Sequence, residues 1–339
     1  MVMKHRIGFI GTGEIAIIHA NSIRIENPEW EIAGGYDVID SACRIFCSIY
    51  GGRIYQSVEA LLQDQTIDTV YICTRHDSHV TYSEEACKNG KNIFLEKPVA
   101  LNYEDARKLL KCWKQRPVPF TVGYNMRVTP SILLLKEKLE EHNAKPEAFR
   151  LNMTGTPFMQ GWAGDERYGG GVLVCQGSHM FDLIAHILKS PISEICADTQ
   201  WLHQPKELEP NSAIVLVKLE NGVCGTLLMH DRGNKSYHIE PGGGMINFTI
   251  YSEQGTYDVD AYGRLRYGTN DELVSIIPSG QNDIEYRWGY RNEASQFSKL
   301  LASQVTSICT LDEAVNAAAV VEAAKKSVRE HRWVSVVYG

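Results

Sequence analysis

With 339 residues, 44% of them hydrophobic and 22% charged, the chain exceeds one ordinary core and predicts two folded domains rather than disorder. Its formal net charge of −7 argues against a nucleic-acid partner, since neutralising phosphates needs a basic face. The N-terminal apolar run Ile7-Gly8-Phe9-Ile10 is too short for a secretion signal and no stretch approaches a membrane span, so a cytoplasmic protein without a membrane partner is expected.

In chain order, the first 123 residues alternate strand and helix patterns, which predicts a parallel sheet covered on both faces. A short apolar strand over 6–10 leads to a helix over 14–25, a second strand over 31–36 and a second helix over 40–50. Strands follow over 68–73, 92–95 and 120–123, with helices over 79–89 and 103–115 between them. From residue 124 to 339 the pattern changes. After a helix over 131–142 come strand-like runs over 148–153, 213–219, 223–230, 245–251, 256–259 and 273–277. Helices are expected over 179–188, 293–302 and 311–330. This part reads as an α+β domain with a large, mostly antiparallel sheet, whose outer face invites self-association. Nine scattered cysteines form no C-x-x-C pair, which predicts buried reduced thiols and no metal site.

The clearest motif is Gly11-Thr12-Gly13-Glu14-Ile15-Ala16, a G-x-G-x-x-A that follows a strand and opens a helix. In that setting Gly11 permits a tight turn, Gly13 admits a pyrophosphate to the backbone, and Ala16 lets helix and sheet pack closely. The helix N-terminus then offers free N–H groups to the phosphates. Asp37 ends the second strand, where an acid accepts from ribose hydroxyls and repels a 2′-phosphate. The N-terminal domain is thus expected to be a Rossmann domain binding NAD in preference to NADP.

Glu96-Lys97-Pro98, taken with that glycine motif, resembles the Gfo/Idh/MocA oxidoreductase family (glucose-fructose oxidoreductase and inositol dehydrogenase-like). Three further segments carry the resemblance in order along nearly the whole chain. Cys73-Thr74-Arg75-His76-Asp77-Ser78-His79 is similar to the family's T-P-N-x-x-H loop, with Arg75 and His76 where Pro and Asn are usual. Val122 to Arg127 is similar to its domain crossover. Gly169-Gly170-Gly171 through His179 to Asp182 matches G-G-G-x-L-x-D-x-G-x-H-x-x-D, except that Cys175 stands where Asp or Asn is usual.

The resemblance implies hydride transfer between NAD and a secondary alcohol or ketone of a sugar, sugar derivative or inositol, and assembly as a homodimer or homotetramer through the C-terminal sheet. Lys97 is implied as the acid/base and His179 as its partner at the reacting oxygen. Pro98 is expected to follow a cis peptide bond. Cofactor contacts are expected from Gly11, Thr12, Gly13, Glu14, Ile15, Asp37, Cys73, Thr74, Arg75, His76, His79, Glu96, Lys97 and Asn125. Substrate contacts are expected from Lys97, Asn125, Arg127, Trp162, Cys175 and His179, with Asp182 orienting local structure. His230, Asp231 and Arg232, and Tyr290 with Arg291, are candidates to close the substrate side. Cysteine cannot hold an ammonium as a carboxylate does. Two other outcomes stay open, a redox-cycling glycosidase that keeps NAD bound, as some members of the family do, and, in view of Cys175, a dinucleotide-sensing regulator without turnover.

Overall fold

A computed structural model describes residues 4–155, 160–232, 245–269, 272–304 and 307–339. The chain divides into two compact units, one running to Tyr124 and joined by Tyr290–Val315, the other of Asn125–Gly289 with Asn316–Gly339. Residues 290–315 therefore return to the first unit, whereas the sequence alone placed everything past 123 in the second. Hydrophobic packing explains the return. The helix Tyr290–Leu301 contributes Ala294, Phe297 and Leu301 to the same buried cluster as Ala16, Ala20 and Ile23 of the helix Glu14–Glu26.

The first unit holds a six-stranded parallel sheet in the order β3-β2-β1-β4-β5-β6. Its strands are β1 Arg6–Ile10, β2 Glu31–Tyr36, β3 Arg53–Ile54, β4 Thr69–Ile72, β5 Asn92–Glu96 and β6 Phe120–Gly123. Apart from the first residue of each, β1 and β5 are buried along their length, and β4 throughout, as continuous apolar runs in a doubly covered sheet should be. Strand order reverses between β1 and β4, so the loops after both strands open a crevice at the carboxyl edge. Strand β3 and the helix Val58–Gln63 escape the sequence pattern because two and six residues are too few to show a period.

The second unit is a nine-stranded sheet in the order β14-β13-β12-β11-β7-β10-β9-β8-β15. Here β7 is Pro146–Thr154, β8 Ile192–Gln200, β9 Ser212–Leu219, β10 Cys224–His230 and β11 Ile246–Ser252. The remaining strands are β12 Gly255–Asp260, β13 Leu265–Thr269, β14 Glu272–Ile276 and β15 Val334–Ser335. Only β7 and β10 pair in parallel; the other neighbours are antiparallel. Strand β9 shows the face logic plainly, with Ala213, Val215, Val217 and Leu219 buried and Ile214 and Leu216 exposed. Strand β8 is invisible to the sequence pattern because a register shift between Ile192 and Glu194 breaks its two-residue alternation.

Against the inner face lie the helices Gly171–Cys175 and Gly177–Leu188. The stretch Gly171–Leu188 is, contrary to the sequence expectation, long and apolar enough for a membrane span by composition. Its burial inside this unit gives the simpler account, a core helix. Asp182 on its inward face takes Nε and Nη2 of Arg127 at 2.8 and 2.6 Å, a two-pronged ion pair with both side chains buried. Removing one partner leaves an uncompensated buried charge. Arg127→Ala or Asp182→Ala should each cost about 3–5 kcal/mol in urea unfolding. A loss below about 1 kcal/mol would show that this pair locks nothing.

Candidate active site

The dinucleotide end is built by three strands meeting at one turn. Gly11 has φ +86° and its N–H donates to Tyr36 O at 2.8 Å, at the end of β2. A Cβ on Gly11 would lie 2.5 Å from Cys73 O, just past β4, so only glycine fits. The next amide, Thr12 N–H, donates to Asp37 Oδ2 at 2.7 Å, and Ile39 N–H donates to Oδ1 at 2.8 Å. Asp37 thereby fastens the glycine turn to the end of β2.

Gly13 is the revealing position. Its φ of −74° suits any residue, and a Cβ there would meet no protein atom within 4 Å. Neither backbone strain nor protein packing requires glycine. The space beside it suits a pyrophosphate lying against the first turn of Glu14–Glu26, which Gly13 caps without a side chain. Glu14 is exposed and Ile15 half-buried beside it.

At the end of β5, Glu96 is 7% exposed and accepts from His19 Nε2 at 2.6 Å through Oε1. Its Oε2 accepts from the Lys97 backbone N–H at 3.1 Å. Lys97 is half-buried, and its bond to Pro98 is cis, as the sequence suggested. His79 is wholly buried, its Nδ1 2.7 Å from Pro98 O and its Nε2 3.0 Å from Thr74 O. Burial lowers the His79 pKa while the two carbonyls oppose it. A neutral ring donates to one of them, so His79 ties the turn after β4 to the Lys97–Pro98 loop rather than presenting its ring outward. Thr74 Oγ1 accepts from Ser78 Oγ at 2.7 Å, His76 is buried against His79, and exposed Arg75 pairs with Asp77 at 3.2 Å. Burial, with Glu96 and Glu293 nearby, pushes the Cys73 thiol well above the ordinary range.

In the second unit His179 and Cys175 are buried on consecutive helices, His179 in the first turn of Gly177–Leu188. Trp162 stands 40% exposed on the turn Gly161–Gly164. Asn125 donates through Nδ2 to Trp288 O at 2.9 Å. Arg127, expected at a substrate hydroxyl, instead spends its Nε and Nη2 edge on Asp182, because a buried guanidinium needs a counter-charge. Asp231 takes Asn211 Nδ2 at 2.6 Å and Arg232 donates to the carbonyls of Leu202 and His203, so both serve the framework beside His230. Arg291 pairs with Glu26 at 2.6 Å and Tyr290 packs edge-on to His19, both contacts lying inside the first unit.

Comparison with known proteins fits these features. Residues 5–124 match the model of an oxidoreductase family with an NAD-binding Rossmann fold, and residues 145–258 match the GFO/IDH/MocA C-terminal domain. The chain belongs to the Gfo/Idh/MocA oxidoreductase family. Myo-inositol 2-dehydrogenase of Thermotoga maritima is 24% identical over 98% of both chains. Inositol 2-dehydrogenase of Rhizobium meliloti is 23% identical over 98% of this chain and 100% of its own. A levoglucosan dehydrogenase solved with NADH and levoglucosan shares the fold at TM-score 0.89 and 18% identity, covering 99% of this chain and 100% of its own. The cofactor of this family member is NAD.

His19 and Glu293 were missed from sequence. Both interrupt apolar stripes, His19 between Ala16, Ala20 and Ile23, and Glu293 beside Ala294 and Phe297. A polar residue on an inward helix face was the available signal. For the glycine turn, Gly13→Val should leave the melting temperature nearly unchanged. It should weaken NADH binding at least about tenfold, or about 1.4 kcal/mol, in a fluorescence titration. Unaltered affinity would remove the pyrophosphate from this turn.

Proposed function

We propose that the protein is an NAD-dependent dehydrogenase that moves a hydride between the nicotinamide and a secondary alcohol or ketone of a sugar, sugar derivative or inositol. The observation that carries this reading is the placing of Lys97. Its backbone is held by Glu96 at the carboxyl end of β5, on the sheet edge that also carries the Gly11–Gly13 turn. Family relatives named as inositol dehydrogenases support the polyol class.

NAD, when bound, accepts or returns the hydride. Lys97 takes the hydroxyl proton in the oxidative direction and gives it back in the reductive one. His179 is its proposed partner at the reacting oxygen. Trp162, exposed and aromatic, suits stacking on a sugar face. Cys175 offers the substrate side a small apolar wall in place of the usual Asp or Asn. A homodimer or homotetramer formed through the outer sheet face, where Ile214 and Leu216 are exposed, belongs to the same reading and is checked by sedimentation.

The experiment is NADH formation from NAD⁺, with NADP⁺ in parallel, across inositols, free sugars, sugar phosphates and nucleotide sugars. Signal with NAD⁺ and one polyol class is expected. Lys97→Ala should lower kcat about 10²–10⁴-fold with NAD binding within about threefold of the parent. Unchanged turnover would remove Lys97 from the chemistry. Aglycone release without net NADH would replace the dehydrogenase by a redox-cycling glycosidase, and tight NAD binding with silence throughout by a regulator.

Asp37→Ala should lose most of the discrimination between NAD⁺ and NADP⁺, because the repelling carboxylate is gone. Retained discrimination would move its source elsewhere.

A further inference from the structure

Two carboxyl groups lie in the interior of the first unit near the end of β5. Glu96 uses both oxygens, one toward His19 and one toward the Lys97 backbone. Glu293 is 0% exposed, and neither of its oxygens has a hydrogen-bond partner among the described residues. The surrounding helix face and cluster are apolar, formed by Ala294, Phe297, Ala16, Ala20 and Phe94. Arg291 next to it turns to Glu26 instead. A carboxylate buried without a cation costs several kcal/mol, whereas the neutral acid costs far less. Glu293 therefore holds a proton. Burial and the neighbouring Glu96 carboxylate both push its pKa well above the ordinary glutamate range.

The titratable groups facing it are few. Among the described residues, Tyr71 and Cys73 come from β4 and the residue after it and Glu96 from β5, and Glu96 in turn meets His19 of the helix Glu14–Glu26. The Tyr71 hydroxyl is also fully buried and, among the described residues, without a hydrogen-bond partner, so no base there competes for the proton. A protein at a stability margin does not gratuitously bury a lone acid, and the place of this one suggests its use. The glycine turn follows β1, and Asp37, the residue expected at the adenosine ribose, follows β2 and is bonded to that turn. The nicotinamide half then extends the other way, over β4 and β5, where Cys73 and Glu96 stand.

We propose that Glu293 and Glu96 form a proton-holding pair that gives up a proton when the positively charged nicotinamide of NAD⁺ binds and retakes one when the ring is the neutral reduced form. The positive ring favours a second negative charge beside that of Glu96, and the released proton passes to solvent. Oxidation of an alcohol by NAD⁺ releases one proton overall. The pair recovers its own proton as the ring loses its charge, so it returns to its starting state each turnover. The inference rests on NAD as the cofactor and not on the substrate proposed above.

Affinity for NAD⁺ should rise with pH, threefold or more between about pH 6 and about pH 8 and at most about tenfold per unit, while NADH affinity stays flat. Calorimetry in buffers of different ionisation enthalpy should show proton release with NAD⁺ and none with NADH. Equal pH slopes for the two forms would overturn the proposal using the parent protein alone. Glu293→Gln, close in shape to the neutral acid, should abolish the NAD⁺ slope and proton release. A slope that persists would also overturn it.

Stability supplies an arm free of cofactor. A group holding its proton only when folded loses stability as pH rises above the ordinary glutamate value of 4.5. The melting temperature of Glu293→Gln should therefore gain on the parent's steadily from about pH 5 to about pH 8. A constant or shrinking gap would mean that Glu293 is already ionised in the free protein, and the pair would hold no proton. Silence in the polyol panel with these linkages intact would sink the dehydrogenase reading and leave the proton-holding pair standing.

Discussion

The carboxylate of Asp37 grips two backbone amides, Thr12 N–H and Ile39 N–H, and so clamps the glycine turn to the end of β2. Much of the first unit is arranged by that clamp. With Gly11 donating to Tyr36 O and pressed against Cys73 O, the turn is fixed among three strands at once. The helix Glu14–Glu26 leaves the turn in one direction only, with its first amides at the sheet edge and His19 facing inward. His19 meets Glu96, and Glu96 meets the backbone of Lys97. A hydrogen-bonded chain thus runs from the dinucleotide turn to the proposed acid/base. Its inner links are buried, where each lost partner is expensive.

Buried charge is handled in opposite ways in the two units. Arg127 and Asp182 satisfy one another completely enough to be left out of water, and they fasten the turn Asn125–Val128 to the helix Gly177–Leu188. Among the described residues Glu293 has no such partner, and it lies beside another acid. The first arrangement holds a framework. The second has its balance set by whatever charge comes near it, which is the condition for a group whose protonation follows a ligand.

Cys175 shows how far family likeness reaches. The helix that carries it, the buried His179 one turn on and the Asp182 pair are all in place around it. A thiol fills the space of a short side chain and removes one anionic acceptor. The scaffold is therefore that of the family, with a thiol at the position where the family's motif carries Asp or Asn.

The sequence by itself determined the parallel α/β half, because doubly buried strands must be continuous apolar runs and their helices must carry one apolar stripe. It also determined the glycine turn, Asp37 and the Lys97–Pro98 segment, whose chemistry is local to a few adjacent residues. Strand β8 lay outside its reach, since a bulge reverses the side-chain alternation, and β3 is too short to have one. The return of 290–315 to the first unit, the ion pair of Arg127 with Asp182, and the meeting of His19, Glu96 and Glu293 were decided by tertiary structure alone. Each joins residues tens to hundreds of positions apart. Such pairings are chosen by burial, which forces a polar group to find or lack a partner only after the chain has folded around it.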